Sequence, residues 1–316
     1  MIRALKISLL FLSLALCLVA RAGELPPYKT ELGIVYGVVD GKELKLNAFM
    51  PANAAKPTAC MVDIHGGWWH SGAPTTKIED GWYWKDPFMA HSIAIISIQY
   101  RLGKEGGFPE SIRDCRNAIR FIRKNATRFN IDPDRIGCMG GSAGGHLSAM
   151  LAMVPEDFND GGPLEDLKGV SAKVQNAFSF VGPTDFVRQW NEAPDDVLPD
   201  GSFRPADNKI PHDARPRHRV LFKGVTPNTP ENEALYRKMS PIGHVRKDIS
   251  PLLICDGERD AVVPYHHGKY LAEKLKAAGA DVTYWMTMQG GHSFPGGPGF
   301  SKVLEDFLVR TLKLEK

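Results

Sequence analysis

The chain has 316 residues, 43% of them hydrophobic and 24% charged, with a formal net charge of +3. This is ordinary globular composition, with enough apolar material for one large α/β domain. The whole positive surplus comes from Arg3, Lys6 and Arg21; beyond Gly23 the chain balances 36 basic against 36 acidic residues, which excludes the basic excess a nucleic-acid partner requires.

The chain opens on Arg3 and Lys6, continues through an apolar run over 7–20, and reaches Ala20-Arg21-Ala22 before Gly23. A positive start, a short apolar core and an A-x-A site describe a secretory signal peptide over 1–22. The expectation is therefore an exported protein, secreted or periplasmic. Cleavage would leave a single domain over 23–316 with no stable membrane span, since the apolar run is short for one.

Two β-rich runs, 32–39 and 44–49, are joined by Asp40-Gly41-Lys42, a hairpin signal. Compact apolar strands are expected over 59–64 and 93–100, separated by a loop rich in Gly and Trp. Residues 109–130 carry Ile112, Cys115, Ile119, Phe121 and Ile122 at helical spacing, with Asp132-Pro133-Asp134 as the stop. Further strands are expected over 136–139, 175–181, 251–255 and 282–288, with helices over 265–278 and 300–314. Apolar strands alternating with helices predict a mostly parallel sheet covered on both faces, with the first hairpin as an antiparallel edge. Residues 185–221 break the alternation: they are long, Pro- and Asp-rich and without periodicity, and read as a cap-like insertion that shapes the substrate site.

Beyond the signal segment the chain holds four cysteines: Cys60, Cys115, Cys138 and Cys255. Cys60, Cys138 and Cys255 each fall in a predicted strand, so free buried thiols are expected rather than disulfides. No C-x-x-C pair or other metal-ligand spacing occurs, and no metal is expected.

The chemistry centres on residues 135–150. A short apolar run, Ile136-Gly137-Cys138-Met139, leads into Gly140-Gly141-Ser142-Ala143-Gly144, and a helical segment follows. G-x-S-x-G in a strand-turn-helix context presents a serine hydroxyl on a strained turn, with glycine wherever a side chain would strike a neighbour. A serine hydroxyl needs a base, and the base an orienting acid. His292, in Gly290-Gly291-His292, and Asp260, in Asp256-Gly257-Glu258-Arg259-Asp260, each follow a predicted strand, and the order Ser, Asp, His is that of an α/β-hydrolase. Asp256 and Glu258 are the rival acids; Asp256 lies nearest the strand end and is expected to cap the turn. His292 must be neutral to act as a base, so activity should fall in acid.

Oxyanion donors are expected from the Ala143 amide and from His65-Gly66-Gly67-Trp68, which directly follows a strand. Gly67 and Trp68 are the expected donors there, with Gly66 as an alternative. His65 is expected to brace the loop and His146 to pack.

The elbow GGSAGGHL, the loop HGGWW, the run Ile131-Asp132-Pro133-Asp134-Arg135-Ile136 and the segment Gly182-Pro183-Thr184-Asp185 together resemble one group of enzymes. Ser240-Pro241-Ile242, residues 260–264 and Gly291-His292 complete the pattern. It is that of the bacterial esterase branch of the α/β-hydrolases, which includes hormone-sensitive-lipase-like carboxylesterases and acetyl-xylan and feruloyl esterases. The resemblance runs from about Leu44 onward. It implies a serine esterase with no cofactor, acting on a small-molecule or polysaccharide-linked ester. Trp68 in place of a third glycine, and the long insertion, are the departures from it.

Trp68, Trp69, Trp82, Tyr83 and Trp84 cluster in the loop after the first parallel strand. Trp69, Trp82 and Trp84 are expected to contact substrate, since aromatic faces stack on sugar or feruloyl rings; packing beneath the loop is the alternative. Two rival functions remain: a prolyl-oligopeptidase-like exopeptidase, which uses the same machinery, and a catalytically dead protein that binds an ester or sugar.

Overall fold

The computed structural model describes residues 27–78, 85–191, 221–227, 229–293 and 297–315. The expected signal segment over 1–22, Trp82, Trp84 and most of the expected insertion lie outside these residues.

Among the described residues eight strands form one sheet: β1 (Tyr28–Val39), β2 (Lys42–Pro51), β3 (Thr58–Ile64), β4 (Ala94–Ile98), β5 (Ile131–Gly141), β6 (Ala177–Phe180), β7 (Leu252–Gly257) and β8 (Val282–Thr287). Their order is β1-β2-β4-β3-β5-β6-β7-β8. β1 pairs antiparallel with β2, and β2 antiparallel with β4; every later pairing is parallel. The hairpin turns where the sequence places it, because Asp40 (φ 50°) and Gly41 (φ 75°) both take the left-handed backbone a two-residue turn needs.

Alternate residues of the central strands feed two separate cores. In β3, Cys60, Val62 and Ile64 point to one face and Ala59 and Met61 to the other. The first face is covered by α2 (Glu110–Lys124), α3 (Ala143–Met153) and α6 (His266–Ala277), through residues such as Ile112, Leu147 and Leu271. The second is covered by α1 (Lys85–Ala90) and α7 (Phe300–Leu312), through Phe88, Phe300, Leu304 and Leu308. Strands buried on both sides explain the unbroken apolar runs, and each large side chain sunk here contributes about 1.5–3 kcal/mol. Among the described residues Cys60, Cys115, Cys138 and Cys255 are all free and buried. Among the described residues no helix is long and apolar enough to cross a membrane.

Three boundaries differ from expectation. α2 ends at Lys124, where Asn125 leaves the helical backbone (φ −102°, ψ 20°) and its side-chain amide donates back to the Phe121 carbonyl at 2.8 Å. β5 starts at Ile131, which pairs with Thr58 and is buried, so Asp132-Pro133-Asp134 lies inside the strand and not at a helix end. α5 (Pro230–Met239) was not anticipated, although Thr229 caps it by accepting from the Asn232 amide and Pro230 opens it. α4 (Phe186–Asn191) begins the expected insertion.

Candidate active site

Parallel pairing brings the carboxyl ends of β3, β5, β6, β7 and β8 to one rim, where an open α/β sheet forms its crevice. The register sets Ile64 beside Gly140 and Gly140 beside Ser179, so the loops after β3 and β6 flank the turn at Ser142.

Ser142 sits at φ 55° and ψ −121°, a conformation that costs a residue with a Cβ on the order of 1–3 kcal/mol. Its amide donates to the Phe180 carbonyl at 2.8 Å, and its carbonyl accepts the His146 amide at 3.0 Å to begin α3. The turn is possible because its neighbours lack side chains. A Cβ on Gly144 would lie 1.9 Å from the Ile64 carbonyl oxygen, and one on Gly140 would lie 2.5 Å from the Gly144 carbonyl carbon.

The Ser142 Oγ lies 3.0 Å from His292 Nε2, and His292 Nδ1 lies 2.8 Å from Asp260 Oδ2. A carboxylate only accepts, so Nδ1 carries the proton and Nε2 is left to accept from the serine hydroxyl. Asp260 is fully buried, and its other oxygen accepts the Val262 and Val263 amides at 2.8 Å each. These bonds hold the carboxylate plane while the His292 side chain stays 23% exposed at the rim.

The rival acid Asp256 is also buried, but it faces α6: a Cβ on Gly268 would lie 2.0 Å from its Oδ2. Burial, and then the charge of Asp260, raises its pKa well above the ordinary carboxylate range. The third candidate, Glu258, accepts the Gln289 amide at 2.8 Å.

The loop after β3 folds against the nucleophile. A Cβ on Gly66 would meet the Gly141 oxygen at 2.9 Å and the Ser142 Cβ at 3.5 Å. Gly67, Trp68 and Trp69 have φ of 108°, 55° and 59°, a left-handed run that turns successive peptides the same way. The His70 and Ser71 amides both donate to the Gly67 carbonyl, at 3.1 and 3.0 Å. His65 braces the loop: its ring stacks on Tyr100 at 4.4 Å, its Nδ1 donates to the Gly66 carbonyl at 2.7 Å, and the Tyr100 hydroxyl donates to its carbonyl. Burial lowers the His65 pKa, which keeps the ring neutral. Ala143 opens α3, where first-turn amides have no partner within the helix.

Trp69 is a correction to the expectation from sequence. It is fully buried, edge-on to His146 at 5.2 Å and to Phe186 at 5.5 Å, and belongs to the core beneath the loop. Trp68 is only partly buried. His146 packs as expected: it is enclosed and donates from Nε2 to the Met239 carbonyl at 2.8 Å.

Sequence reasoning missed one contributor. Asp63, in an otherwise apolar strand, accepts from the Ser97 hydroxyl at 2.7 Å and the Thr75 hydroxyl at 3.3 Å. The Thr75 amide in turn donates to Ser97 Oγ, and Asn47 donates to the Thr75 carbonyl, which fastens the far side of the same loop to β2, β3 and β4. A lone carboxylate in a doubly buried strand was the available signal, since buried charge demands partners.

The family model BD-FAE matches residues 46–275, most of the chain, from within β2 to within α6. The chain belongs to the BD-FAE family. Among curated proteins it resembles the probable carboxylic ester hydrolase LipM of Mycobacterium tuberculosis, with 27% identity over 222 residues, 68% of this chain and 44% of that one. It also resembles esterase LipC of the same organism, with 27% identity over 243 residues, 76% of this chain and 54% of LipC. The chain thus spans about half the length of these relatives. Among solved structures, a truncated carbohydrate esterase from gut microbiota superposes with TM-score 0.71 at 24% identity, covering 92% of this chain and all of that one. Esterase 2 of Thermogutta terrifontis with bound propionate superposes with TM-score 0.68 at 25% identity, covering 93% and 97%. This BD-FAE member has the α/β-hydrolase fold.

Proposed function

We propose that this BD-FAE member is a carboxylic ester hydrolase working by acyl transfer to Ser142. The observation that carries the reading is the unbroken hydrogen-bonded line from Ser142 Oγ through the His292 ring to the buried carboxylate of Asp260. His292 Nε2 takes the hydroxyl proton as the oxygen attacks the ester carbonyl, and Asp260 steadies the imidazolium that forms. The amides of Ala143, Gly67 and Trp68 receive the developing oxyanion. His292 then gives its proton to the leaving alcohol, and a water activated by the same nitrogen releases the acid.

The esterases among its relatives and structural neighbours support an ester substrate. For the substrate class we infer a short acyl ester or an acetyl or feruloyl ester of a carbohydrate, supported by the partly buried Trp68 in the oxyanion loop and by the likeness to a carbohydrate esterase. The positive start, apolar run and A-x-A site support export. Ser142→Ala should abolish hydrolysis of p-nitrophenyl acetate and labelling by a fluorophosphonate while thermal unfolding stays close to wild type. Full activity in that variant would remove the reading.

A further inference from the structure

Asp260 and His292 stand on separate loops, after β7 and β8, and their pairing depends on how those loops are held together. The two backbones run in contact: a Cβ on Gly257 would lie 2.6 Å from the Gly290 carbonyl oxygen. Arg259 donates its amide to that same oxygen at 2.7 Å. Glu258 reaches across twice, donating its amide to the Thr287 carbonyl at 3.0 Å and accepting the Gln289 amide on Oε2 at 2.8 Å.

The second of these bonds falls on a strained residue. The Gly290 amide closes a turn onto the Thr287 carbonyl at 3.2 Å, and Gln289, the third residue of that turn, has φ 61°. Positive φ at this position suits glycine or asparagine and is unfavourable for glutamine. The turn leads directly into Gly291 and His292. A charge-assisted bond to the Gln289 amide opposes the tendency of that residue to relax to negative φ, a rotation that would swing the following backbone and the imidazole with it.

We propose that Glu258 is a positioning residue for the reaction: its carboxylate holds the Gln289 amide, locks the turn over 287–290, and so keeps His292 between Asp260 and Ser142. The inference rests on the hydrolase reading above and adds to it a residue that touches neither substrate nor the reacting atoms.

The test compares steady-state kinetics on p-nitrophenyl acetate for wild type, Glu258→Ala, Glu258→Gln, Gln289→Gly and the double variant Glu258→Ala/Gln289→Gly. A misplaced base lowers kcat far more than substrate binding, so Glu258→Ala should lose roughly 10- to 100-fold in kcat with KM within about twofold. Glu258→Gln keeps an acceptor oxygen and should recover most of that loss. Gln289→Gly, which accepts the positive φ without strain, should stay within about twofold of wild type and should restore about fivefold or more of kcat when added to Glu258→Ala. Should Glu258→Ala not fold, Glu258→Asp, whose carboxylate stops one methylene short, is read in its place by the same criteria. An unchanged kcat in Glu258→Ala, or a double variant no faster than Glu258→Ala alone, overturns the inference. Ser142→Ala in the same assay keeps the two failures apart: activity surviving there removes the hydrolase reading, whereas its loss beside an unaffected Glu258→Ala removes only the role of Glu258.

Discussion

Asp256, near the end of β7, and Asp260, in the loop that follows, are both buried, yet only Asp260 meets the His292 ring, because two backbone amides, from Val262 and Val263, turn its carboxylate toward the rim. Asp256 is turned instead toward the start of α6, against Gly268.

That difference separates the two acids in kinetics. Asp260→Asn offers His292 an amide in place of the carboxylate and favours the wrong tautomer, and kcat should fall by roughly 10⁴-fold. Burial, and then the charge of Asp260, raises the Asp256 pKa and so favours its neutral form, and the neutral Asp256→Asn should stay within about threefold of wild type. The reverse pattern in kcat would transfer the orienting role to Asp256.

Trp69 belongs to stability and not to substrate contact. Its enclosed indole packs against His146 and Phe186, and truncation would leave a large cavity. Trp69→Ala should lower unfolding free energy by about 3–5 kcal/mol in a denaturant titration. A fully stable variant with only a raised KM would return Trp69 to the substrate site.

His146 makes the fold sensitive to acid. Burial lowers its pKa from 6.5 to about 4, with the bond to the Met239 carbonyl acting weakly the other way. Between those two values the unfolded chain binds a proton that the folded chain refuses, so stability rises with pH across this window. Lowering the pH from 7 to 4 should therefore remove about 3 kcal/mol of stability through this group alone. Thermal unfolding across that range should show a shallower slope for His146→Gln than for wild type. An identical slope would mean that other groups govern the acid response.

Much of this protein could be read before any fold was known. Strand and helix identities follow from period and composition: residues 59–64 and 251–255 are apolar on both faces because helices cover both sides, and Gly140 and Gly144 are demanded by a turn with no room for a Cβ. The order Ser142, Asp260, His292 marks the candidate side chains, since each lies in the turn or loop that follows a strand. Other features were beyond sequence because they depend on what lies opposite. Trp69 reads the same as Trp68 in a row of aromatics, and only the packing of α3 and α4 beneath the loop sends one indole into the core and leaves the other at its edge. Asp256, Glu258 and Asp260 are three carboxylates within five residues, and chain order cannot rank them. Their bonding was decided in three dimensions, where β8 runs beside β7 and brings the Gln289 amide to one carboxylate and the His292 ring to another.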